Sequence, residues 1–345
     1  YTTINEHCQR ISQRSFIDLY KKGRIYRKYA PVIFCPQCQT AIAQVEMEDK
    51  KSQSSMNYIK AKSEDGYLVY ATTRPEVLYG CVGMSIKQDG TYVEIDVEGE
   101  KWITSKESQI PFAKHKINFT LIRELQGKEL IGREVEIPIC GNKVRISHDE
   151  VTLTEFGTGI VYYCTYGGFD CVEWLTRHPG VEPIHVMGPD GRYNEKSGRY
   201  QGMTSPDARK AVLEDLQKEN FLIFKEPIEH MVNVHERCGT DIEYVATDQW
   251  FIRYLDLKDE FLAYGKKMKW YPEHMRNRYE NWILGLKWDW NISRQRHFGV
   301  AIPVWYSKKT KEVILPDESQ LPIDPLTDIP KHLPAGHTVQ DIIAE

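Results

Sequence analysis

Two matching stretches of sequence decide how this chain is organised: Cys35-Pro36-Gln37-Cys38 and, far downstream, His235-Glu236-Arg237-Cys238. A tetrahedral Cys3His zinc site uses two such turns, because each one aims two ligands at the same ion at about 2.0–2.3 Å. A redox dithiol and unrelated buried cysteines are the alternatives, and the second turn favours zinc. Four protein ligands leave no position open for water, so we expect a structural zinc ion. The predicted ligands are Cys35, Cys38, His235 and Cys238.

A zinc ion at these positions would hold together the segments that enter and leave a large insertion. Short apolar runs such as Tyr67–Ala71 and Val135–Ile139 indicate strands inside that insertion, and Ser205-Pro206-Asp207 indicates the start of a later helix. Strands followed by helices predict an α+β fold. We predict a helical stem with the first metal turn (1–55), a strand-rich domain (56–228), a returning stem with the second metal turn (229–265) and a further module (266–345).

The composition limits the classes of protein to which the chain can belong. Its 345 residues are too many for one small domain, and no apolar run approaches the roughly 20 residues of a membrane helix. The net charge of -4 gives no overall attraction to nucleic acid, so RNA contacts would need local basic patches. The eight scattered cysteines suit a reducing cytosol, so we expect a cytoplasmic location. The chain begins without methionine, and we expect a piece of a longer protein.

Several separated motifs resemble those of one enzyme family. Ala71-Thr72-Thr73-Arg74-Pro75-Glu76 is similar to the threonine-rich signature of the editing domain in the valine, isoleucine and leucine tRNA synthetases of class I. The run Gly157–Val161 resembles the second signature of that domain, and Cys164–Gly167 is similar to the archaeal type of the valine enzymes. Trp288–Arg296 and Ile302–Tyr306 resemble the return to the catalytic core. The resemblance spans nearly the whole chain.

This resemblance implies an α+β, barrel-shaped editing domain with flanking helices on a zinc-ribbon stem. It also implies hydrolysis of mischarged threonyl-tRNA(Val), with the tRNA acceptor end and its threonine as partners of a monomer. The HIGH-type and KMSKS-type elements that class I enzymes use to bind ATP are absent from this sequence, so we expect no aminoacylation by this chain. A hydrophobic pocket rejects an added hydroxyl poorly, and the discrimination of valine from threonine is a known example. The resemblance therefore implies a second pocket that accepts threonine and hydrolyses its ester to the tRNA.

The resemblance places the pocket on two groups of residues. The catalytic candidates are Thr72, Thr73, Arg74 and Asp170; the substrate-binding candidates are Gly157, Thr158, Gly159 and Tyr162. Strand propensity for the threonines, a tight turn for the glycines and a solvated turn for Asp170 are the alternatives. No Ser-His-Asp or Cys-His arrangement is visible in these segments, so water is the expected nucleophile.

The family pattern has an aspartate soon after the segment that matches Cys164–Gly167. In this chain that aspartate, Asp170, is displaced by one position. The first alternative function is therefore a binding module that holds the tRNA acceptor end without hydrolysis, and the second is an isoleucine-type editor of valyl-tRNA. Basic residues interleaved with aromatics after position 250 indicate either a tRNA face or a solvated helix. These basic residues are Arg253, Lys258, Lys266, Lys267, Lys269, Arg276 and Arg278.

Overall fold

A computed structural model describes residues 2–345 of the chain and divides them into two compact units. The first unit comprises residues 2–30, 40–45 and 247–345, and the second comprises residues 31–39 and 46–246. The range 56–228 expected for the strand-rich domain lies inside the second unit, and its exact limits stay a prediction. Among the described residues, no helix has the length and apolar character needed to cross a membrane.

Six α-helices are found in the described part of the chain. Helix α4 confirms the predicted start, because the Thr204 side chain caps its first turn, Pro206 lies in that turn, and Ala208, Val212 and Leu216 are buried behind it. The helices are α1 (Glu6–Lys21), α2 (Gln109–Lys114), α3 (Phe169–Arg177), α4 (Ser205–Lys218), α5 (Lys258–Lys267) and α6 (Met275–Gly285).

The strands are concentrated in the second unit, as the short apolar runs predicted. In chain order they are β1 (Ile25–Cys35), β2 (Thr40–Ala41), β3 (Met47–Ser63), β4 (Gly66–Thr72), β5 (Cys81–Ile86), β6 (Thr91–Val97), β7 (Glu100–Ser105), β8 (Thr120–Gln126), β9 (Glu134–Glu136), β10 (Lys143–His148), β11 (Val161–Cys164), β12 (Leu222–His235), β13 (Glu243–Ile252), β14 (Trp290–Asn291), β15 (Trp305–Ser307), β16 (Val313–Ile314) and β17 (Ile342–Ala344).

The second unit is built on one ten-stranded mixed sheet rather than on the expected barrel. The strand order is β11-β5-β10-β9-β3-β4-β7-β6-β8, and β12 pairs with β3 outside this path. A barrel needs its first and last strands to pair with a fixed stagger. Within residues 2–345, β11 and β8 do not pair, and Leu125 is the one buried residue of β8. The prediction of a closed barrel was wrong, and β8 is an open edge.

The core of the second unit lies where the sheet meets α4. Ile59, Tyr70 and Leu78 are fully buried there, together with the apolar face of α4. The first unit has its own core, in which the rings of Phe16 and Trp250 meet edge to face with centroids 5.2 Å apart. Residues 25–30 of β1 and 247–252 of β13 contribute from this unit to a sheet in the order β14-β13-β1-β2, and β16-β15-β17 form another sheet within it. A separate zinc-ribbon stem stays a prediction.

Candidate functional site

The Thr72-Thr73-Arg74 segment forms a tightly bonded turn at the end of β4. The Thr72 hydroxyl accepts a hydrogen bond from the Arg74 N–H at 2.9 Å and donates to the Tyr162 hydroxyl at 3.2 Å. Tyr162 donates in turn to the Arg74 carbonyl at 2.5 Å, and burial raises the pKa of its phenol, which therefore stays protonated. Asn57 donates to the Thr72 carbonyl at 2.9 Å. Thr72 and Tyr162 are buried and hold the shape of this turn.

The guanidinium of Arg74 is directed into the protein. Its Nε donates to Glu76 at 3.0 Å, one terminal nitrogen donates to the Gly167 carbonyl at 2.7 Å, and the other donates to Glu243 at 2.6 Å. Glu76 also accepts two hydrogen bonds from Arg209, at 2.9 and 2.7 Å. Three distant segments therefore meet at one arginine.

Glu76 carries a charge although its side chain is fully buried. Burial disfavours the carboxylate, but the hydrogen bonds from Arg209 and the charge of Arg74 outweigh it and hold the pKa of Glu76 below its ordinary value of 4.5. Desolvation also disfavours the charge on Arg74, yet Glu243 and Glu76 keep the pKa of Arg74 well above its ordinary range. Removal of any one of these charges would leave the cluster of two arginines and two glutamates with an unbalanced buried charge.

A cavity of about 1010 Å³ opens beside this ion-pair cluster, within the second unit. Thr73, Arg74 and Asp170 line it together, so the structure brings three of the four catalytic candidates to one wall. Asp170 lies in the first turn of α3, not in an irregular turn, and its side chain is exposed. A carboxylate is stabilised at a helix N-terminus by the aligned peptide dipoles. Other residues of the wall include Gly167, Arg192, Ser205, Arg209, His230 and Glu243.

The Gly157–Gly159 turn has the backbone conformation that glycine permits. Gly157 and Gly159 adopt φ values of 61° and 66°, and a Cβ at Gly159 would lie 2.7 Å from that of Ser105. Thr158 between them is buried. The turn lies against Ala71, next to the Thr72-Thr73 strand end. Within the described chain, the cavity wall does not include this turn or Tyr162.

Arg209 and Glu243 are the site residues that sequence reasoning missed. Arg209 lies on an ordinary amphipathic helix, where an arginine carries no special signal. Glu243 did carry one, because its neighbours in the sequence, Ile242, Tyr244 and Val245, are apolar or aromatic, and the structure buries all four residues. A buried acid inside an apolar strand needs a partner.

The four predicted metal ligands come together at the ends of β1 and β12. The Cys35 and Cys238 sulfurs are 3.5 Å apart, and His235 Nδ1 is 3.5 Å from the sulfurs of both Cys38 and Cys238. All four ligand atoms lie within 4.8 Å of one another. Ligands around a tetrahedral zinc ion are separated by about 3.3–3.8 Å, given bonds of about 2.0–2.3 Å. These residues can therefore hold a metal ion.

The thiols of Cys35 and Cys238 differ in acidity. Burial raises the pKa of the Cys35 thiol to about 12. Cys238 also loses solvation, but hydrogen bonds from Thr240 lower the pKa of its thiol to about 6. A bound cation would replace the proton on Cys35 and stabilise the thiolates.

Comparison with known proteins gives matches over most of the chain. The family model of class I tRNA synthetases (I, L, M and V) matches residues 1–324. The valine--tRNA ligase of Thermoplasma acidophilum is 41% identical over 94% of this chain and 37% of that protein. The valine--tRNA ligase of Archaeoglobus fulgidus is 38% identical over 96% of this chain and 34% of that protein. The chain thus spans less than two-fifths of the length of these relatives.

Among solved structures, the crystal structure of GlLeuRS-CP1 is similar to half of the chain. It aligns with a TM-score of 0.43 at 17% sequence identity, over 50% of this chain and 98% of that one.

Proposed function

The chain belongs to the class I tRNA synthetases (I, L, M and V), and from this premise we propose that its second unit is an editing domain that hydrolyses threonyl-tRNA(Val). The observation that carries the proposal is the cavity on whose wall Thr73, Arg74 and Asp170 lie together. Its volume of about 1010 Å³ is enough for an aminoacylated nucleotide, since ligand pockets span about 300–1,000 Å³. The matching valine--tRNA ligases support valine as the cognate amino acid, whose tRNA is cleared of mischarged threonine.

The proposed chemistry assigns separate tasks to the residues of the cavity wall. Thr73 presents a hydroxyl that can hydrogen-bond the hydroxyl of threonine, and valine has no such group. Asp170 holds the ammonium of the aminoacyl ester through a charge-assisted hydrogen bond. The N-terminus of α3, which begins at Phe169 on the cavity wall, is the positive end of the helix dipole, and it stabilises negative charge that develops on the ester. Water is the nucleophile.

Thr72, Tyr162 and the Gly157–Gly159 turn support this pocket. Thr72 and Tyr162 maintain the shape of the strand end that presents Thr73. The glycine turn lies against Ala71 beside the same strand end, and its role is to support that strand end from outside the cavity. The acceptor end of tRNA(Val) is the proposed partner, bound by a monomer.

Zinc is the proposed metal at the cluster of Cys35, Cys38, His235 and Cys238. Three thiolates and one imidazole in tetrahedral arrangement are a donor set that suits Zn²⁺. With four protein ligands it supplies structural stability by joining the ends of β1 and β12, and the hydrolytic reaction does not involve it.

Deacylation assays test the proposed function. Threonyl-tRNA(Val), valyl-tRNA(Val) and valyl-tRNA(Ile) are each mixed with excess protein, and release of the amino acid is followed over time. We expect threonyl-tRNA(Val) to be hydrolysed at least about tenfold faster than the other two, a difference of about 1.4 kcal/mol. Faster hydrolysis of valyl-tRNA(Ile) would establish an isoleucine-type editor. Binding of tRNA without any hydrolysis would establish the binding module.

A matched pair of variants ties the activity to the cavity. Thr73→Val removes the hydroxyl at the cavity wall with little change in volume, and we expect slower hydrolysis of threonyl-tRNA(Val). Thr120→Val makes the same change at an exposed position on β8, outside the residues of the wall, and should retain the parental rate.

A further inference from the structure

Arg74 does not present its charge to the cavity as a free group. All three of its nitrogens donate to protein acceptors: Nε and one terminal nitrogen to carboxylates, the other to the Gly167 carbonyl. Its side chain is 25% exposed. An arginine bound in this way holds other groups in place rather than binding substrate itself.

We propose that Arg209 of α4 is a positioning residue of the hydrolytic site, acting through Glu76 and Arg74. The proposal rests on the editing function proposed above. Arg209 grips both carboxylate oxygens of Glu76, with Nε at 2.9 Å from one and a terminal nitrogen at 2.7 Å from the other. Two parallel bonds fix the plane of the carboxylate as well as its position. Glu76 can then hold Arg74 in one orientation.

Arg74 also holds the backbone segment that leads into Asp170. Arg74 bonds the carbonyl of Gly167, two residues before α3 begins, and Asp170 is the second residue of that helix. Arg74 is also the residue that directly follows Thr73 in the chain. Arg74 therefore links the strand end that carries Thr73 to the turn that carries Asp170, across the cavity wall.

The turn held by Arg74 is strained. Tyr166, next to Gly167, has φ of 56°, a left-handed conformation that is unfavourable for a residue with a Cβ. Such strain persists only where surrounding contacts enforce it, and it is concentrated at functional segments. The hydrogen bond from Arg74 to the Gly167 carbonyl is one such contact, and Arg209 supports it from behind.

A second connection ties α4 to the same arginine. The Ser205 hydroxyl, in the first turn of α4, donates to Glu243 at 2.5 Å, and Glu243 accepts from Arg74 at 2.6 Å on its other oxygen. Helix α4 thus reaches Arg74 by two routes, one through Arg209 and Glu76 and one through Ser205 and Glu243. The helix acts as a rigid support for the cavity wall.

The test compares Arg209→Ala and Arg209→Lys with a matched control, Arg199→Ala. Arg199 also pairs with two carboxylates, Asp215 at 3.2 Å and Glu219 at 3.3 Å, but it is not among the residues of the cavity wall. Two experiments are done on each protein. Deacylation of threonyl-tRNA(Val) gives kcat and KM, and amide hydrogen exchange is measured in peptides covering residues 72–77 and 165–171.

We expect Arg209→Ala to lower kcat by about 10- to 100-fold with KM changed less than about threefold, because the groups of the site are displaced while the cavity remains. Exchange should accelerate in the two peptides alone. Arg209→Lys should recover only part of kcat, since an ammonium cannot grip both oxygens. Arg199→Ala should match the parent in both measurements.

Parental exchange in both peptides after Arg209→Ala would overturn the proposal. Acceleration spread evenly over the second unit would also overturn it, because it would show that Arg209 contributes general stability only. If the parent protein hydrolyses no threonyl-tRNA, the editing function fails, and the exchange measurement still decides whether Arg209 positions the two segments.

Discussion

Thr72 and Thr73 are adjacent in the sequence and differ in what they do. Successive residues at a strand end point to opposite sides. Thr72 is turned inward, where its hydroxyl bonds Arg74 and Tyr162, and Thr73 lines the cavity. Arg74 is held in one direction by Glu76, Glu243 and the carbonyl of Gly167. One motif therefore combines a residue that lines the cavity with two that support it.

The side-chain charge of Asp170 can be tested by a single substitution. Asp170→Asn should lower deacylation of threonyl-tRNA(Val) by about 10- to 100-fold, since a charge-assisted hydrogen bond contributes about 1.5–3 kcal/mol. The free energy of unfolding should change by less than about 1 kcal/mol, because an exposed acid at a helix N-terminus contributes little. Single-turnover kinetics and urea unfolding measure the two effects.

The control for Asp170 is Asp207→Asn. Asp207 is likewise an exposed acid in the first turn of a helix, α4, but it is not part of the cavity wall, and its variant should keep the parental rate. Parental activity of Asp170→Asn alongside a defective Arg74→Ala would show that the displaced aspartate lies outside the working pocket.

At the scale of elements, a buried carboxylate joins the 3-10 segment Pro75–Gly80 to helix α4. Glu76 lies in that segment and Arg209 in the helix, and both bonds between them are shorter than 3 Å. The lowered pKa of Glu76 means that the folded state prefers the ionised carboxylate more than the unfolded state does. The contact therefore depends on pH.

Glu76→Gln should reduce stability at neutral pH by about 3 kcal/mol, because two arginines lose their shared carboxylate. The contribution of Glu76 is complete above the ordinary pKa of 4.5 and is lost as the pH falls through the lower pKa of the folded state. The difference in unfolding free energy between parent and variant should thus shrink below about pH 4.5. Urea titrations at several pH values measure it. Glu219→Gln, at an exposed position, should show no such convergence, and a constant difference for Glu76→Gln would contradict the prediction.

At the scale of the whole molecule, the metal cluster joins residues that are far apart in the chain. Cys35 ends β1 and His235 ends β12, and both belong to the second unit. Formation of such a site converts metal-binding free energy into folding free energy. The second unit should therefore depend on its metal for stability.

Protein purified without chelator should contain about one zinc ion per chain by elemental analysis. Cys35→Ala and Cys238→Ala should each lose the ion and lower the melting temperature, because the remaining ligands cannot complete a tetrahedral site. A strong chelator should do the same to the parent, reversibly. Cys140→Ala removes a thiol of the same unit outside the cluster and should retain the zinc. A parent that is fully folded and free of metal would contradict the prediction.

The sequence by itself determined the features that depend on local spacing and residue type. The two metal turns are local structures in which two ligands lie three positions apart, and the start of α4 follows from Thr204, Pro206 and the apolar face behind them. The candidates Thr72, Thr73 and Arg74 came from the resemblance to the editing-domain signature, which is a run of adjacent residues. Each of these signals is contained within a few residues.

Only the tertiary structure decided how distant segments meet. Whether ten strands close into a barrel depends on the stagger accumulated over the whole sheet, and within residues 2–345 β8 and β11 do not pair with each other. Asp170 lines the same cavity as Thr73 because α3 begins at Phe169. Arg209 bonds Glu76 from a helix that lies more than a hundred residues later in the chain. Contacts of this kind leave no periodicity or spacing in the sequence, because they are fixed by packing and by pairing of buried charges.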